Sequence, residues 1–84
     1  MSTHDPSRRV PLIVPQMGVV EEVVVIEWLV DPGAAVVEGQ EVVIVETEKA
    51  EVALEAPATG AIEILADASD DEIPVGATLA YIDP

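Results

Sequence analysis

Apolar positions along this chain come in short runs, each cut by a turn signal, and no segment sustains a helical period. The runs predict β-strands over residues 10–14, 21–30, 41–47, 50–56, 61–65 and 78–82, with shorter pairing pieces near Val36 and Ile73. Between them stand Met17-Gly18, Asp31-Pro32-Gly33, Glu38-Gly39, the stretch 57–60, the acidic stretch 67–71 and Val75-Gly76. Gly, Pro and Asp at such points supply the backbone angles and local hydrogen bonds that reverse a chain. Six or more short strands in 84 residues imply one all-β domain, a sandwich or a flattened barrel.

The pattern also repeats. Trp28-Leu29-Val30-Asp31 aligns with Ile64-Leu65-Ala66-Asp67. With one extra residue in the second copy, Gly39 falls on Gly76, Val42 on Leu79 and Ile44 on Tyr81. Each copy alone is too short to bury a core, so the two halves are expected to interlock.

Between the copies lies VETEKAEVAL, residues 45–54. The flanking strands leave room only for a tight turn with Glu48 and Lys49 at its centre. Neither residue suits a primed turn, so a loop built on a type I turn is expected. Lys49 is the only lysine of the chain, and this reading sets it at a hairpin tip, exposed yet held by a folded body. An exposed Lys–Glu pair adds only about 0–1 kcal/mol, so stability does not explain the isolation. The neighbouring Glu46, Glu48 and Glu51 favour the protonated amine, which is the wrong direction for a nucleophile. His4 lies in the polar N-terminal stretch, and no Ser-His-Asp set can be assembled. The expectation is a domain without its own active site, whose one amine another enzyme modifies.

Composition narrows the partners. Hydrophobic residues make up 50% of the chain, mostly Val, Ile, Leu and Ala, with no Phe, one Trp and one Tyr. Trp28, the largest of them, is expected to be largely buried. A formal charge of −14 excludes nucleic acid and anionic membrane surfaces as natural partners and favours basic docking faces. The absence of cysteine removes thiol chemistry and fits a reducing, cytoplasmic setting. Arg8-Arg9 after Ser7 begins like a twin-arginine signal, but Pro11 and Pro15 break the apolar stretch that must follow. The acidic turn 67–72 lacks the glycine and spacing of a calcium loop and reads as solvated, and no metal site is expected.

The stretch Val45-Glu46-Thr47-Glu48-Lys49-Ala50 resembles the signature of lipoyl domains of 2-oxoacid dehydrogenase complexes, with an acidic residue before the modified lysine and a small one after it. The resemblance runs from Val10 to Asp83. It includes Gly18, Glu27-Trp28-Leu29-Val30, Gly33, Gly39, Ala56-Pro57, Gly60, Val75-Gly76, Leu79 and Ile82. It implies a barrel-sandwich hybrid, a flattened barrel of two antiparallel sheets with pseudo-twofold symmetric halves. It implies lipoic acid amide-linked to Lys49, with Glu48 and Ala50 as recognition flanks. The partners it implies are a lipoate ligase or lipoyl transferase, a thiamine-dependent 2-oxoacid decarboxylase, an acyltransferase catalytic domain and dihydrolipoamide dehydrogenase. The arm would carry acyl groups and electrons among them, in a complex of pyruvate, branched-chain or acetoin type. The loop Met17-Gly18-Val19-Val20, which matches the family through Gly18 alone, stands where the family's partner-recognition loop lies, so the resemblance leaves the choice of complex open.

On this reading residues 1–9 form a disordered tail, and residues 10–84 form the lipoyl domain, the first of a longer dihydrolipoamide acyltransferase chain. The sequence departs from the family's Gly-Asp in both symmetry-related turns, with Gly33-Ala34 in the first and Ser69-Asp70 in the second, and the second, which lacks the glycine, is expected to be rebuilt. The alternatives are a biotin carrier, whose family flanks its lysine with methionines, and an unmodified barrel-sandwich interaction module, which does not need the turn lysine.

Overall fold

The computed structural model describes residues 8–84, and their regular structure is almost wholly strand. The expected tail over residues 1–9, with His4, lies up to Ser7 outside the described residues. The strands are β1 (Val10–Ile13), β2 (Glu22–Trp28), β3 (Ala35–Val36), β4 (Glu41–Glu46), β5 (Glu51–Glu55), β6 (Gly60–Ile64), β7 (Ile73–Pro74) and β8 (Thr78–Asp83). All six long strands and both short ones stand where the hydrophobic pattern puts them. They form two four-stranded sheets, β1-β8-β6-β3 and β5-β4-β2-β7, and every pairing is antiparallel.

Matching β1 to β5, β2 to β6, β3 to β7 and β4 to β8 turns the order of one sheet into that of the other. The backbone hydrogen bonds repeat accordingly. The Leu29 N–H donates to the Val42 carbonyl at 2.8 Å, and its counterpart Leu65 donates to Leu79 at 2.9 Å. Gly39 donates to Ala56, and Gly76 donates to Val14, both at 2.9 Å. These last bonds run between the halves, so each half closes its turn on a strand end of the other. This is the flattened barrel with pseudo-twofold halves that the repeat and the resemblance imply.

The rebuilt turn is also present. Gly33 sits at φ +84 in the first copy, a conformation L-residues with a Cβ rarely adopt. Ser69 takes its place in the second copy without a positive φ, and its hydroxyl instead accepts the Asp71 N–H at 3.1 Å.

The core lies between the sheets. Val23, Val25, Val42, Val43 and Val45 come from one side, and Leu12, Ile62, Leu79 and Ile82 from the other. Two bulges adjust the alternation. Around Val42 the register of β4 against β5 shifts, and both Val42 and Val43 turn inward. Around Ile26 the register of β2 against β4 shifts, and Ile26 and Glu27 both face out. Trp28 is half-buried rather than enclosed. It packs on the margin of the core and donates its indole N–H to the Ala66 carbonyl at 2.7 Å. An indole N–H needs an acceptor when it leaves water, and the sheet margin offers one. At the start of β1, the Arg9 guanidinium lies 4.1 Å from the centre of the Tyr81 ring and pairs with Glu63.

Candidate functional site: the Lys49 hairpin

The longest contiguous hairpin of the described residues joins β4 to β5, and its last strand pair is Glu46 with Glu51. The four residues beyond that pair are Thr47, Glu48, Lys49 and Ala50. The Thr47 N–H donates to the Ala50 carbonyl at 2.8 Å, which leaves Glu48 and Lys49 as the central residues expected from the sequence. No described non-glycine residue has a positive φ, so the primed hairpin turns are excluded here.

The rest of the turn is closed by a side chain. Oγ1 of Thr47 accepts the Lys49 N–H at 3.2 Å and the Ala50 N–H at 3.1 Å, and the hydroxyl donates to the Ala50 carbonyl at 3.0 Å. Thr47 itself is only 9% exposed. Sequence reasoning missed this role, because a threonine at the end of a valine-rich run reads as one more strand residue. The available signal was a Ser/Thr hydroxyl directly before a turn that contains no glycine, the setting in which such side chains replace backbone acceptors.

Lys49 is exposed at the tip, flanked by the exposed Glu48 and Ala50. Among the described residues, no carboxylate lies within ion-pair distance of its ammonium. The amine is therefore held at the backbone and free at its end.

Beside the hairpin runs an open groove of about 550 Å³. One wall is the loop before β2, where Val19 is 81% exposed and Val20 half-buried. The groove is lined further by residues of three separate segments, among them Glu21, Glu22, Glu46, Glu48 and Glu72. Met17 packs against the core and anchors the loop, its carbonyl accepting the Val20 N–H at 3.2 Å. The Gln16 side-chain amide donates to the Gly18 carbonyl at 2.9 Å. The structure thus brings the predicted loop, Met17 to Val20, alongside the predicted lysine turn.

The biotin/lipoyl attachment family model, described as "Biotin-requiring enzyme", matches residues 10–82. The chain belongs to that family. Among curated proteins, this attachment domain is 33% identical to the "Dihydrolipoyllysine-residue acetyltransferase component of acetoin cleaving system" of Cupriavidus necator. That alignment, over 85 residues, covers 100% of this chain and 23% of the relative. The attachment domain therefore spans about a quarter of the length of that curated protein. In a biotin/lipoyl attachment domain the prosthetic group is bound covalently, and this chain has a single lysine, Lys49.

Proposed function

We propose that Lys49 carries a lipoyl group in amide linkage and that the domain is a swinging-arm carrier of a multienzyme complex acting on 2-oxo acids or acetoin. The observation that carries the reading is a lone amine, unpaired among the described residues, at the tip of a backbone-fixed hairpin. Supporting it are the flanks Glu48 and Ala50, where a biotin carrier has methionines; the methionines of this chain, Met1 and Met17, are elsewhere. The name of the Cupriavidus relative, a dihydrolipoyllysine-residue acetyltransferase component, points the same way.

On attachment, the Lys49 amine attacks an activated lipoyl donor, surrenders a proton and forms the C–N bond as the activating group leaves. The bound group supplies a dithiolane that takes up acyl groups and electrons. The protein's part is presentation. The rigid body holds the arm's root, and tethering keeps the carried group at high effective concentration near each partner active site. The chemistry at those sites belongs to a thiamine-dependent decarboxylase, an acyltransferase and dihydrolipoamide dehydrogenase. The loop from Met17 to Val20 and the acidic groove beside it are the surface on which we place recognition by the decarboxylase.

The test is incubation of the purified domain with lipoate, ATP and a lipoate ligase, followed by intact-mass measurement and peptide mapping. One lipoyl group on the Lys49 peptide is expected, and none on Lys49→Arg. A parallel reaction with biotin and a biotin ligase is expected to leave the mass unchanged. Efficient biotin uptake, or no lipoyl uptake, would overturn the reading.

A further inference from the structure

We infer that Thr47 is a positioning residue for the attachment reaction, a latch that orients Lys49 for the ligase and contributes little to holding the domain together. The inference rests on the reading of Lys49 as the lipoylated residue.

The hydroxyl of a threonine offers one donor and two acceptor lone pairs. All three are engaged inside this turn: with the Lys49 N–H, the Ala50 N–H and the Ala50 carbonyl. No capacity remains for the body of the domain or for a partner enzyme. Thr47 is also the one polar residue in the buried set among the described residues. Inward positions of the same strand are valines, Val42, Val43 and Val45, and a valine at 47 would fill the same volume. The core alone thus has no use for the oxygen; the turn does.

Its effect is on direction. The Lys49 N–H is tied to Thr47, so the Cα–Cβ bond of Lys49 leaves the turn along one course, and the flexible side chain starts from a fixed root. A ligase that recognises the turn by shape then meets the amine already aimed. Without the latch, only a fraction of the turns are competent at any moment, and the apparent efficiency falls by that fraction.

The experiment compares wild type, Thr47→Val and Thr47→Ser in lipoylation by a purified lipoate ligase with lipoate and ATP. Melting temperature and amide exchange are measured on the same unmodified samples. Thr47→Val is expected to lower kcat/KM about tenfold or more. It is also expected to abolish exchange protection at Lys49 and Ala50 while leaving β2 and β8 protected. Thr47→Ser, which keeps the oxygen, is expected to restore both to within about twofold of wild type. If wild type is modified and folded Thr47→Val is modified equally fast, the latch is overturned and the Lys49 reading stands. If wild type takes no lipoyl group, the Lys49 reading falls, and the positioning role falls with it. Should Thr47→Val fail to fold, Thr47 is structural and the inference is overturned. Absence of protection at Lys49 and Ala50 in the wild-type protein overturns it as well.

Discussion

Replacing Gly60 by alanine puts a methyl group where β8 already passes. A Cβ built at Gly60 lies 2.2 Å from the Asp83 carbonyl oxygen, 2.6 Å from the Asp83 carbonyl carbon and 2.8 Å from Cα of Pro84. All three are backbone atoms, so no side chain can rotate away. Restoring ordinary contact, at about 3.5 Å, requires a shift of about 1 Å or more between β6 and the end of β8. That shift opens the terminal pair Ala61 with Asp83 and strains the neighbouring pair Val36 with Gly60. Backbone displacement of this kind costs about 1–3 kcal/mol, and a lost hydrogen bond adds about 1 kcal/mol. The expected total is about 2–4 kcal/mol, or a fall in Tm of about 10–30 °C for a domain of this size. Urea unfolding followed by Trp28 fluorescence measures it, with the m-value unchanged if only stability moves. Gly39→Ala is the control: Gly39 has φ +89 with no atom within 4 Å of the added carbon, so only the left-handed backbone counts, about 1–2 kcal/mol. Wild-type stability for Gly60→Ala, or a larger loss for Gly39→Ala, would refute the close-approach argument.

Lys49→Arg is expected to keep the Tm of the domain and lose all lipoyl uptake; a large fall in Tm would make the lysine structural. Exchanging Glu48 and Lys49 keeps composition and charge but re-aims the amine, and is expected to suppress lipoylation far more than Glu46→Gln or Glu51→Gln in the same assay. Trp28→Phe removes the donor to the Ala66 carbonyl while keeping an aromatic ring, and is expected to cost about 1–2 kcal/mol by urea titration. Ile62→Ala empties a fully packed site and is expected to cost about 2–5 kcal/mol by the same measurement.

The strands were legible because their ends are chemically marked. Pro32-Gly33, Glu38-Gly39 and Val75-Gly76 bracket runs of β-branched residues, and few other conformations suit that pattern. The pairing of those strands was not legible from local sequence. One valine-rich strand faces another equally well, and only the repeat and the family resemblance pointed to interlocked halves. The bulge at Ile26 was hidden for the same reason, since Val23-Val24-Val25-Ile26 reads as unbroken strand. Lys49 stood out by its isolation. Thr47 did not, because the chemistry of its hydroxyl depends on a turn geometry that the sequence specifies only jointly with the strands behind it. The groove escaped too: Glu22, Glu48 and Glu72 meet in space from positions far apart in the chain.

The first strand of the domain and the last are neighbours in one sheet. This adjacency orders events in time. β4 and β5 are joined by a short turn and can zip together within microseconds, as local hairpins do. β1 must instead wait for β8, and Leu12 and Val14 have no Leu79 or Ile82 to pack with until β8 has been made. Folding dominated by such distant pairings runs on the millisecond-to-second scale. During synthesis, then, the residues of the lysine turn emerge before β8 completes the platform that steadies them. An enzyme that reads the turn against its platform gains a built-in proofreading step, because unfinished chains offer the amine without the address.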